Sequence, residues 1–238
     1  MALPLSERQE KYESNYHYTI LNRIPVIIRV TIRNYKKLTQ RLVIPFCSDF
    51  AEIMSQTTLY TITNISDAIF GYHHNDEITF ILTNEDEAPW HGNDIQKISS
   101  TVASLVTLGF YKSAGIFGDD LGLVGEAIFN TKTYAAPSIM ESFNNLVWRQ
   151  GICMRDAVNS ASLVELSEKL GKGPAMSLLK DKDYTEKAEI LLQHCGKNIM
   201  EDYPIPFLRG VGIYKIPVVV STRNGTANRN KWHVDKNL

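Results

Sequence analysis

The chain has little of what marks a secreted, membrane-bound or cross-linked protein. It carries three cysteines in 238 residues, Cys47, Cys153 and Cys195, too few and too scattered for a disulfide framework or a zinc knuckle. A reducing, cytoplasmic compartment is therefore expected. No window approaches the roughly 20 uncharged apolar residues of a membrane span, and the opening MALPLSERQEKYESNYHY lacks the apolar core of a signal peptide. Neither secretion nor a membrane partner is expected. Charge of one sign is missing too: 25 Lys+Arg stand against 26 Asp+Glu, a net charge of -1. That excludes a uniformly basic nucleic-acid coat and leaves any such contact to a local patch. Internal repeats and low-complexity segments are absent.

What is present is 44% hydrophobic residues, enough for an ordinary core, arranged with clear periods. Residues 24–31 (IPVIIRVT) are β-branched behind Pro25 and predict a core strand. Residues 49–63 carry Phe50, Ile53, Met54, Leu59 and Ile62 at helical spacing behind Asp49. Residues 68–72 and 77–82 read as two strands joined by the polar turn 73–76. Residues 93–112 place Ile95, Ile98, Val102, Leu105 and Val106 on one helical face. A further strand at 126–130 completes a β-α-β-β-α-β order. The fold class is thus α+β, with a ferredoxin-like antiparallel sheet and helices on one face, an architecture that hosts many functions and none. Residues 112–125 are Gly-rich and read as a loop, 138–170 as helix, 171–174 as a break, 185–195 as another helix, 212–222 as a strand, and the remainder as a polar tail.

The candidate chemistry centres on Asp76-Glu77, at the end of a hairpin. Adjacent strand residues face opposite sides, so only one of the two can serve a given site. Asp76, if it faces the end of the first strand, is placed to bind a divalent cation that orients a nucleotide triphosphate. A solvated turn is the plainer alternative. His73-His74 have no third His or Cys at ligand spacing and read as ordinary turn or strand histidines. Arg29, Arg33, Lys36, Lys37 and Arg41 form a basic series suited to phosphate, or equally a solvated face. Lys97 can meet an anion near a helix N-terminus. Gly171-Lys172-Gly173 lacks Walker spacing and is a helix breaker.

These pieces, in this order, resemble the tRNA-His guanylyltransferase family, enzymes that add nucleotides in the 3'-to-5' direction. The resemblance runs from Tyr12-Glu13 to Asp235 and is carried by RIPVIIR (23–29) with Arg33, NDEITF (75–80), GNDIQKI (92–98), VAS (102–104), WRQ (148–150), EKAEILL (186–192) and KWHVD (231–235). It implies a palm-like domain over residues 1–135 and a helical region with a C-terminal strand over 136–238, packed as one unit. It also implies Mg²⁺, one or two ions, with GTP or ATP and tRNA or tRNA-like RNA as substrates, and a homo-oligomer, tetramer or dimer. Carried over by position, Asp76 is a metal ligand and Glu77 its acidic catalytic neighbour. Asn75, Lys97 and Lys187 contact phosphates, with Arg29 and Arg33 beside them.

Four departures accompany the matches. The family's R-x-D-G-R-x-F reads Arg29-Val30-Thr31-Ile32-Arg33-Asn34-Tyr35 here, so a metal-bridging Asp is Thr31. Asp94 stands where relatives carry Arg. The family's F-D-x-R segment is missing near 125–129, and His-Ile-Asn-Asn has become Met154-Arg155-Asp156-Ala157. A hydroxyl does not replace a bridging carboxylate between two divalent cations. Turnover therefore needs one cation through Asp76, or a displaced acid such as Asp49, Glu126 or Asp119 with Asp120. Without either, a lapsed relative remains, binding RNA, nucleotide or a protein partner.

Overall fold

The computed structural model describes residues 3–40, 42–85, 87–116, 122–123, 125–222 and 225–238. Among these described residues six strands form one sheet: β1 (Val26–Ile32), β2 (Ala68–His74), β3 (Glu77–Leu82), β4 (Phe129–Ala135), β5 (Val211–Thr222) and β6 (Gly225–Asp235), in the order β4-β1-β3-β2-β5-β6. Every pairing is antiparallel. The α+β class and antiparallel sheet stand as expected, but the sheet is larger than the β-α-β-β-α-β unit because β5 pairs with β2.

Alternation along the strands divides the sheet into two faces. Val26, Ile28, Val30 and Ile32 of β1 and Ile78, Phe80 and Leu82 of β3 point into the main core. After α1 (Leu5–Ser14) and the short α2 (Tyr35–Thr39), helices α3 (Ser48–Ile62) and α4 (Ile95–Ile116) cover them with Phe50, Ile53 and Met54, and with Ile98, Val102, Val106 and Phe110. The two helices approach closely at Gly109, where a Cβ would come within 2.8 Å of the Tyr60 ring. Helices are not confined to this face. The 32-residue α5 (Ile139–Leu170) lays Leu146 against Tyr72 and Ile81 on the other side. Its start is set by Ser138, whose hydroxyl accepts from Glu141 N, an N-cap. Its end is set by Gly171 at φ 86. The expected break at 171–174 is only a change of direction, since α6 (Lys172–Leu179) begins at once. Then follow α7 (Tyr184–Cys195), opened by an Asp183–Glu186 capping box, and the short α8 (Ile205–Arg209).

Several boundaries move, and α4 runs on to Ile116, into the segment expected as a loop. β2 runs on to His74, so the turn is Asn75-Asp76 alone, with Asn75 at φ 44, a conformation Asn tolerates. The strand expected at 126–130 is β4, three residues later. The C-terminal polar tail is strand β6: its ladder with β5 satisfies the backbone, and only Trp232 and Val234 near its end pack on the core, so no sustained apolar alternation marks it. Among the described residues no helix is long and apolar enough to cross a membrane.

Candidate functional site at the end of the sheet

The β2–β3 turn is tied to the end of β1. Ile32 N donates to Asp76 O at 3.2 Å, closing the ladder in which Thr31 pairs with Glu77. Beside this junction lies a cleft of about 470 Å³ lined by Tyr35, Phe46, Phe50, Asn75, Asp76 and Asp156 among others, a volume within the range of small-ligand sites. Asp156 comes from α5, and Asn75 Nδ2 reaches toward its Oδ2 at 3.5 Å.

The electrostatics of this end are uneven. Burial pushes the Asp76 carboxyl up to about 6, with Glu77 and Asp156 adding to the rise and Arg29 opposing it. Asp156 is raised as well, by desolvation in the cleft. Two carboxyls that resist ionisation beside each other are a place where a cation would be welcome. Glu77 differs. Arg29 Nε donates to its Oε2 at 2.6 Å, and Arg149 Nε approaches its Oε1 at 3.1 Å. Glu77 thus anchors β3 to α5 and has little charge left for a metal.

The histidines behave as the sequence predicts, as strand residues. His73 points under α3, where its Nε2 meets Ser55 Oγ at 2.8 Å, and burial drives its pKa down to about 3. His74 is pushed down to about 4, by burial first and then by Arg149 and Arg29.

The seven proposed site residues are only partly gathered. Asn75 and Asp76 line the cleft. Arg29 and Glu77 are bound to each other on the α5 face. Arg33 is exposed at the same end of the sheet, its N–H bonded to Ile128 O. Lys187 donates to Asn159 Oδ1 at 2.8 Å and lines a neighbouring hollow between α5, α6 and α7. Lys97 lies at the opposite end. Its helix starts beside the chain entering β1, where Ile95 N donates to Tyr18 O and Ile20 N to Asn93 O. The length of β3, roughly 20 Å by strand rise, separates it from Asp76 within one chain. Asp94, in the position of the relatives' Arg, caps α4 by accepting from Lys97 N and Gln96 N. Those bonds hold its carboxyl below the usual range, and His17 Nε2 stands 2.7 Å away.

Arg149 and Asp156 were not among the candidates. Their signal was available: seven residues apart, they share one face of a helix, Arg149 in the WRQ segment and Asp156 in the Met154-Arg155-Asp156-Ala157 stretch. Of the displaced acids considered, Glu126 is paired with Lys37 at 2.9 Å and Asp49 does not line the cleft. Asp119 and Asp120, like Arg41, lie outside the described residues.

Comparison with known proteins decides the family. The family described as Thg1, tRNAHis guanylyltransferase, matches residues 6–137, more than half of the chain. The chain belongs to the tRNAHis guanylyltransferase family. A bacterial tRNAHis guanylyltransferase (Thg1)-like protein in complex with ATP superposes with a TM-score of 0.80 at 25% identity, covering 98% of this chain and 92% of the other. A second such structure, in complex with GTP, has a TM-score of 0.72 at 25% identity over 99% and 92%. The tRNAHis guanylyltransferase of Saccharomyces cerevisiae shares the fold at 18% identity, with a TM-score of 0.76 over 92% and 94%. Comparison with curated protein sequences gave no match.

Measured against the two-ion arrangement expected for a tRNAHis guanylyltransferase, the donor set fits one Mg²⁺ and does not fit two. Thr31 is neutral, Glu77 is engaged by two guanidinium groups, and among the described residues no group of three or more His, Cys, Asp or Glu could hold a metal ion. Asp76, with Asp156 across the cleft, satisfies the modest demand of a hydrated Mg²⁺ that takes its other ligands from phosphate and water.

Proposed function

We propose that the protein binds GTP or ATP in the cleft beside Asp76 and adds a nucleotide to the 5' end of tRNA-like RNA. The observation that carries this reading is the Asp76 carboxyl, carried into a nucleotide-sized cleft by a turn whose backbone is tied to the end of β1, and raised by burial there. Two similar structures are described as complexes with ATP and GTP, which supports the choice of ligand. Tyr35, Phe46 and Phe50 offer apolar and aromatic surface for a base. When bound, Mg²⁺ would supply Lewis-acid polarisation of the phosphates. The chain's own part is to hold the base on the aromatic wall, fix the triphosphate against the β2–β3 turn, and exclude water between α5 and α8.

The test is incorporation of radiolabelled GTP into tRNA bearing a 5'-monophosphate (with ATP) or a 5'-triphosphate. Label in the RNA, lost in Asp76→Asn, is the expected result. Thr31 favours a second reading, a binding protein without turnover. Absence of label with Mg²⁺, Mn²⁺ and Co²⁺, alongside intact GTP and RNA binding, decides for it.

A further inference from the structure

Only the first four residues of β5 pair with β2, from Val211↔His73 to Tyr214↔Phe70. The β5–β6 ladder continues through eight more pairs, from Lys215↔Trp232 to Thr222↔Gly225, a two-stranded arm of roughly 25 Å by strand rise. Its root is pinned by Trp232 and Val234 against the main core and by the Lys236–Glu52 ion pair to α3.

The arm is charged one way. Residues 215–234 hold four Lys or Arg and no Asp or Glu, so the rest of the chain has 21 cations against its 26 acids, a net charge of -5. The positive patch that a balanced total conceals is therefore local. The register pairs Ile216↔Lys231 and Val218↔Arg229 put two exposed cations on one face of the ribbon, about 7 Å apart along β6. That interval is comparable to successive phosphates of an extended strand. The other face carries Asn228 and Asn230, both hydrogen-bonding side chains, and Lys215 over the Trp232 ring at 4.8 Å.

We infer that the β5–β6 arm is an RNA-docking element that grips the phosphodiester backbone. The inference rests on RNA being a substrate, as proposed above, and names the surface that holds it. A polyanion complements a ribbon with no acid. A second copy of the chain is the less favoured occupant, because edge-to-edge pairing of two such arms would set cations against cations.

The experiment uses the full chain and the double variant Arg229→Ala/Lys231→Ala, with fluorescence anisotropy of a labelled tRNA across a salt series, mant-GTP binding, and light scattering for oligomeric state. Expected are a fall in RNA affinity of roughly tenfold or more near 0.1 M salt and a salt slope shallower by about 1 to 2, from two lost phosphate contacts. GTP binding and oligomeric state should not change, and Arg229→Lys/Lys231→Arg should restore the slope. Unchanged affinity and slope overturn the arm's role while leaving the proposed function standing. Weakened RNA binding that tracks a change in oligomeric state assigns the arm to self-association instead. A wild-type chain that binds no RNA, yet binds GTP, overturns both readings.

Discussion

Arg149 of α5 places its Nε 3.1 Å from Glu77 Oε1 on β3, yet neither atom has an aligned hydrogen-bond partner. The contact is therefore one of charge, between two side chains that are both almost fully buried. Arg29 completes it from β1. Removing one partner of such a group strands the others: Glu77→Gln should lower stability by about 3 kcal/mol, read as a shift of the urea midpoint. The double variant Glu77→Gln/Arg149→Met should recover part of that loss. Full additivity would show that the two side chains are not coupled.

Acid should destabilise the protein through the two buried histidines. His73 and His74 have folded-state pKa values of about 3 and about 4 against an ordinary 6.5. Between those limits the unfolded chain binds the extra protons, and stability falls as pH drops below 6.5. Asp76, raised to about 6, acts in the opposite sense, because the folded state holds its proton and stability falls as pH rises from about 4 to 6. Two groups outweigh one, so the urea midpoint should decline on acidification from pH 6.5 to 4. Asp76→Asn should raise it at pH 7, by about 1–2 kcal/mol after discounting for solvent in the cleft, and steepen the acid decline. A midpoint that is level with pH would refute the assignment.

Gly210→Ala should be among the most damaging single substitutions. This residue turns α8 into β5 at φ 76, and a Cβ there would lie 2.6 Å from both His73 O and the Tyr72 hydroxyl. That hydroxyl donates to Arg209 O at 2.8 Å. A loss of about 3 kcal/mol or more is expected. Because α8 carries Pro206 and Phe207 into the cleft wall, mant-GTP affinity should fall with it.

Thr31→Asp should add a third carboxylate beside the cleft that Asp76 and Asp156 line. Position 31 pairs with Glu77 and lies one residue from the Ile32–Asp76 hydrogen bond. With GTP present, Mn²⁺ binding followed by electron paramagnetic resonance should tighten by roughly tenfold, about 1.4 kcal/mol. Placing like charges opposite each other across two strands costs up to about 1 kcal/mol of stability. Unchanged Mn²⁺ affinity would mean that position 31 does not face the ion.

Much of the fold was legible because its burial is periodic. β1, α3, α4 and α5 each repeat apolar residues at 2.0 or 3.6 intervals over enough length to stand out. β6 was not legible, since beyond Trp232 and Val234 at its root the ribbon is wet on both faces and has no reason to alternate. The reach of α5 over the second sheet face was hidden as well, because its polar contact there runs through Arg149, which in sequence looks like a surface residue.

At the site, the sequence alone determined the family motifs, the position of Asp76 in a tight turn, and the loss of an acid at Thr31. Only the tertiary structure decided which charges remain available. It neutralised Glu77 with two arginines, brought Asp156 across to Asp76, and put Lys97 at the far end of the sheet. The physical reason is that a side chain's charge is local in sequence, whereas its partners and its solvation depend on neighbours tens of residues away.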